Sequence, residues 1–195
     1  MRVRIIRLFS MVLFFLSTGV AWAQPSAVPV ERVGSCPSGY ATSGAYCNPS
    51  STARYAVVKV GSCPSGYSTS GAYCLAGSSA RHAVERVGSC PSGYSTSGAF
   101  CLQSTGGSAA SSATMTAVAL PKIGSCPSGY STSGAYCNPG SMARYAVAKI
   151  GSCPSGYSTS GAYCLAGSGA RHAVERGGSC PSGYSTSGAY CLSSR

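Results

Sequence analysis

Acidic side chains are nearly missing from this chain of 195 residues, which has no aspartate and only Glu31, Glu85 and Glu175. Histidine is as scarce, at His82 and His172. General acid–base catalysis and a Ser–His–acid triad need such groups converging within hydrogen-bond reach. Here each glutamate stands beside an arginine (Arg32, Arg86, Arg176), the pattern of a solvated surface pair of small energetic value. Serine is abundant, yet no GxSxG elbow occurs. The chain is expected not to be an enzyme, and no cofactor is implied.

Long apolar runs are limited to one. Residues 1–23 carry Arg2, Arg4 and Arg7, an apolar stretch from Leu8 to Leu16 and an AxA end at Ala21, Trp22 and Ala23, which reads as a cleaved secretory signal of bacterial type. The stretch is broken at Ser10, Ser17 and Thr18, short of the roughly 20 apolar residues that a span requires. No integral membrane span is expected after its removal, and the mature chain from about Gln24 is expected to be secreted or periplasmic. Large apolar groups are also few: residues 24–195 hold 11 Val, 5 Leu, 2 Ile and 1 Phe. Burial of so few cannot offset the entropy of ordering the chain.

What the sequence has instead is a repeat. The string GSCPSGYxTSGA(Y/F)C occupies residues 34–47, 61–74, 88–101, 124–137, 151–164 and 178–191. Its starts fall 27 residues apart within two blocks of three, and the second block repeats the first at an offset of 90. Self-similarity at fixed period marks a repeat architecture. The blocks are residues 24–102 and 114–195, joined by a Ser/Ala/Gly-rich linker at 103–113. An open meander, a solenoid and a closed threefold arrangement of each block all remain compatible with the sequence.

All 12 cysteines lie in the repeats, as Cys36/Cys47, Cys63/Cys74, Cys90/Cys101, Cys126/Cys137, Cys153/Cys164 and Cys180/Cys191. An even count in an exported chain reads as disulfides. Closing each unit on itself is the simplest connectivity, and such a loop contributes about 3 kcal/mol through the unfolded state. Linking the second cysteine of one unit to the first of the next is the alternative. Thiolate metal binding is a third reading, but structural zinc sites bring paired ligands within two to four residues, unlike this spacing. No metal site is therefore expected.

The segment before each motif, such as residues 53–61, is rich in Val and Tyr and reads as a short strand, and a second strand is expected at 71–75 and its equivalents. CPSG has the arrangement of a type I turn, and the later SG offers a second place for positive φ. The predicted fold class is all-β, small and disulfide-rich, a tandem array of stapled β-hairpins. CPSGYSTSGAYC resembles the last disulfide loop of EGF-like modules, in which the two cysteines bond to each other; the resemblance implies pairing of Cys36 with Cys47 and its equivalents, over 12 residues per repeat. The other four cysteines of an EGF module and its acidic calcium motif have no counterpart here. The array is also similar to small exported bacterial proteins built from GSCPSGY repeats, which implies nothing about activity.

Two series stand out as candidate binding residues. Two positions before each motif stands a basic residue: Arg32, Lys59, Arg86, Lys122, Lys149 and Arg176. Four further arginines, Arg54, Arg81, Arg144 and Arg171, recur seven positions before a motif. On stacked strands each series would form a ladder at about 5 Å per step, attractive to anionic polymers. The second series is the tyrosine after glycine: Tyr40, Tyr67, Tyr94, Tyr130, Tyr157 and Tyr184, a possible stacking platform for sugar rings. The tyrosines before the closing cysteine read as packing over the disulfides, Phe100 replacing Tyr in the third unit. His82 and His172 occupy the place of Tyr55 and Tyr145 in neighbouring units, a half-exposed strand position for a planar group.

The expected function is that of a non-catalytic exported repeat protein with a structural, adhesive or interaction role, since weak identical contacts add on a linked array. The alternative is a multivalent module for an anionic polysaccharide or envelope polymer, using the Arg/Lys and Gly-Tyr series. Self-association through exposed strand edges is expected, and nucleic acid is ranked below these partners for want of a recognition motif.

Overall fold

The computed structural model describes residues 25–104 and 115–194, so the signal segment and most of the linker lie outside the described residues. The described chain is all strand and forms six separate three-stranded antiparallel sheets, one per repeat. In the first unit β1 (Val30–Glu31) precedes the motif, while β2 (Tyr40–Ser43) and β3 (Tyr46–Pro49) form the hairpin, in the order β1-β3-β2. The second unit repeats this with β4 (Ala56–Val58), β5 (Tyr67–Ser70) and β6 (Tyr73–Ala76), and the other four follow suit. Gln103, placed in the linker from composition, belongs to the last strand of the third unit.

Two local expectations are corrected. The unit has three strands, the additional one being Tyr-Ser-Thr-Ser and its equivalents. This polar strand has no buried face of its own and is held by pairing with the central strand, Thr69 opposite Cys74. The turn is also one residue later than CPSG. The Tyr40 N–H donates to the Pro37 carbonyl, and Gly39 at the third position has φ +86°, the pattern of a type II turn, which requires positive φ there. Gly44, φ +60°, opens the two-residue hairpin loop Gly44–Ala45, where the primed turns place glycine.

Each disulfide closes its own unit: Cys36–Cys47, Cys63–Cys74, Cys90–Cys101, Cys126–Cys137, Cys153–Cys164 and Cys180–Cys191, with Cα separations of 5.3–5.5 Å. The second cysteine sits mid-way on the central strand and is fully buried. Beside it lie the small apolar sets of each unit, for example Tyr73, Leu75, Ala76 and Pro64.

No unit completes its core alone. The buried Tyr73 of the second unit reaches into the first, where its hydroxyl donates to the Glu31 carbonyl and accepts from the Val33 N–H, 3.5 Å from Cys47 Sγ. Tyr136 makes the same bridge to Glu85 and Val87, Tyr163 to Pro121 and Ile123, and Tyr190 to Ala148 and Ile150. Tyr46 of the first unit reaches Glu175 and Gly177 of the sixth. A serine contact accompanies every junction: the backbone N–H of Ser38, Ser65, Ser92, Ser128, Ser155 and Ser182 donates to Ser70, Ser97, Ser133, Ser160, Ser187 and Ser43 respectively. The same head-to-tail contact therefore recurs six times and the last closes on the first, so the units form a ring. The junction spanning the linker uses the same contacts as the others.

Candidate functional site

Closure of the ring decides where the repeated side chains go. Equivalent residues of a cyclic array lie on one circle at one level along its axis. The six basic residues Arg32, Lys59, Arg86, Lys122, Lys149 and Arg176 are all exposed. Their backbone N–H groups extend the edge strand by donating to the hairpin-loop alanines, Arg32 to Ala45 at 2.8 Å and Arg176 to Ala189 at 2.9 Å. In five units the flanking carbonyl and N–H are bridged by a tyrosine hydroxyl of the next unit, so each cation is anchored on an inter-unit junction. The strand-by-strand ladder expected for this series is not formed, because among the described residues no sheet extends from one unit to the next. The cations make a circle instead.

Directly after each cation comes an exposed aliphatic residue in five units: Val33, Val60, Val87, Ile123 and Ile150, with Gly177 in the sixth. Sequence reading gave these residues no role; their recurrence beside the basic series was the available signal. Glu31, Glu85 and Glu175, each next to a rim cation, are exposed as well.

The Gly-Tyr series lies at the other end of the strands. Tyr40 is opposite Pro49 at one end of the hairpin, whereas Ser43 opposite Tyr46 marks the loop end where Arg32 is anchored. The hydroxyls of Tyr40, Tyr67, Tyr130 and Tyr157 donate to the carbonyls of Arg54, Arg81, Arg144 and Arg171 at 2.7–2.9 Å. Tyr94 accepts from the Ala119 N–H, and Tyr184 meets His172 Nδ1 at 3.1 Å. Burial pushes the phenols of Tyr40 and Tyr184 up to about 12 and raises those of Tyr67, Tyr94, Tyr130 and Tyr157 as well. These rings are half-buried and spent on the fold. The structure does not bring them together with the rim cations.

At this same end of the strands, where Ala76 lies between Tyr55 and Tyr67, Tyr55 stacks tilted on His82 and Tyr145 on His172, with centroids 5.3 and 5.4 Å apart. Burial raises the pKa of both phenols. Tyr145 donates to the Ala173 carbonyl, so its oxygen accepts from His172 Nε2–H, and Nδ1 accepts from Tyr184. His82 Nδ1 is buried without a partner, and Tyr94, the counterpart of Tyr184, accepts from the Ala119 N–H. Desolvation holds both imidazoles at about 4, and hence neutral.

All 12 cysteines are consumed in disulfides, and among the described residues no group of three or more His, Cys, Asp or Glu is placed to hold a metal ion. Among them, too, no helix is long and apolar enough to cross a membrane. Six disulfides are consistent with an oxidising compartment. Comparison with protein-family models, with curated proteins and with solved structures finds no match to the chain.

Proposed function

We propose that this chain is an exported, non-catalytic interaction protein of the cell envelope or extracellular space, a rigid ring that presents one cationic contact per unit to a polyanionic partner. The observation that carries this reading is the circle of six exposed cations, each fixed by backbone hydrogen bonds at the loop end of its unit. Repetition supplies the mechanism: a single exposed Arg or Lys contributes little, whereas identical contacts on one rigid body engage together through effective concentration. Holding them on a disulfide-closed scaffold removes part of the ordering cost of binding. Secretion or periplasmic residence, after removal of residues 1–23, completes the reading.

Of the two residue series first considered for binding, this reading keeps Arg32, Lys59, Arg86, Lys122, Lys149 and Arg176 and assigns the Gly-Tyr series to the fold. Chromatography on a sulfated polysaccharide column tests it. The wild-type protein is expected to be retained at low ionic strength and released by salt, and the variant with all six cations changed to Gln to flow through. Passage of the wild-type protein through the column at low salt would refute the reading.

A further inference from the structure

We propose that the rim binds the headgroup region of an anionic lipid surface. This rests on the reading of the rim as a polyanion-binding surface and names its partner. The residue next to the cation carries the argument. Val33, Val60, Val87, Ile123 and Ile150 are 42, 38, 48, 49 and 37% exposed, at the same position in five of the six units. Nothing in the fold requires an aliphatic side chain there, since it is the backbone N–H that meets the tyrosine hydroxyl and the sixth unit has Gly177.

A soluble polyanion gains nothing from exposed aliphatics. A glycan would call for exposed aromatic faces, but the Gly-Tyr rings are half-buried at the opposite end of the strands, four of them with their hydroxyls on the carbonyls of Arg54, Arg81, Arg144 and Arg171. A bilayer interface takes both rim components, phosphate against the cation and the headgroup–acyl boundary against the Val or Ile. Because the ring sets equivalent residues at one level, a flat surface meets all the units at once. Glu31, Glu85 and Glu175 stand directly before the cations of the first, third and sixth units, while the second, fourth and fifth have the uncharged Val58, Pro121 and Ala148 in that place.

The test is co-sedimentation of the full mature protein with vesicles of phosphatidylcholine alone or mixed with phosphatidylglycerol, set beside elution from the sulfated column. Wild-type protein is expected to sediment with the anionic vesicles only. The variant V33S/V60S/V87S/I123S/I150S, its fold checked by circular dichroism, is expected to lose about tenfold or more in vesicle partition while eluting from the column at the wild-type salt concentration. Two results overturn the lipid assignment and leave the cationic rim standing: wild-type retention on the column without vesicle binding, which identifies a soluble polyanion, or undiminished vesicle binding by the aliphatic variant. Failure of the wild-type protein in both assays overturns both proposals.

Discussion

The chain contains its own control for the ring junction, at Phe100. Five junctions are bridged by a tyrosine hydroxyl that links a carbonyl and an N–H of the preceding unit, as Tyr73 links Glu31 and Val33 at 2.8 and 2.6 Å. At the junction between the second and third units the residue is Phe100, 1% exposed and packed with Ala83 and Leu102 against Val57 of the second unit. It fills the same place without a hydroxyl. Tyr73→Phe removes two hydrogen bonds, but Val33 is 42% exposed and water can reach the freed N–H. The loss therefore falls toward the lower part of the range for unsatisfied groups, about 1–2 kcal/mol. Phe100→Tyr supplies the missing bridge and should gain about 1 kcal/mol. In a protein of this size 1 kcal/mol corresponds to a shift of about 2–4 °C in Tm. Thermal unfolding followed by circular dichroism under non-reducing conditions is then expected to rank Phe100→Tyr above wild type and Tyr73→Phe below it. A Phe100→Tyr protein no more stable than wild type, beside a Tyr73→Phe protein that is unchanged, would refute the assignment of the hydroxyl as the junction clip.

Two further outcomes follow from the same structure. Intact-mass analysis under denaturing conditions should give a mass 12 hydrogens below the fully reduced value with no alkylation, and reduction should abolish the fold, since each of six loops contributes about 3 kcal/mol to a chain with little apolar surface to bury. Persistence of the native circular dichroism spectrum after full reduction would count against the staple. The desolvated imidazoles predict an acid dependence: with folded values of about 4 against 6.5 unfolded, the unfolded chain binds protons first, so stability is full above pH 6.5, falls as the pH drops towards 4 and levels off below. The loss is at most about 3 kcal/mol per histidine, and His82→Phe with His172→Phe should flatten the denaturation midpoint across that window; an unchanged slope would contradict the neutral, buried assignment.

The sequence disclosed what is local. A 27-residue period, one cysteine pair per unit and glycines at turn positions are each written within a single repeat, so the all-β class and the disulfide pairing of Cys36 with Cys47 were legible. The strand Tyr67–Ser70 was not, because three hydroxyl side chains in a row show neither alternation nor β-branched enrichment; its order comes from pairing with a central strand that the disulfide fixes. Ring closure was least legible. Its determinants, the Tyr73 hydroxyl and the Ser70 hydroxyl, are the same in nearly every copy and so say that units touch without saying how many make a circle. The Gly-Tyr series reads from the sequence as a stacking platform because nothing there shows that the hydroxyl of Tyr67 meets the carbonyl of Arg81, 14 residues on. The exposure of the rim aliphatics was not legible either, since Val and Ile in a short strand-like segment do not show which side chain faces solvent.

The central claim is the closed ring, and small-angle X-ray scattering of the mature protein addresses it most directly. A ring in which the Tyr46 hydroxyl joins the first unit to the sixth holds the chain compact, with a radius of gyration near that of a globular protein of its length, about 16 Å, and a symmetric pair-distance distribution. An elongated distribution, with a radius well above that value in a monomeric sample, would show an open array and contradict the account.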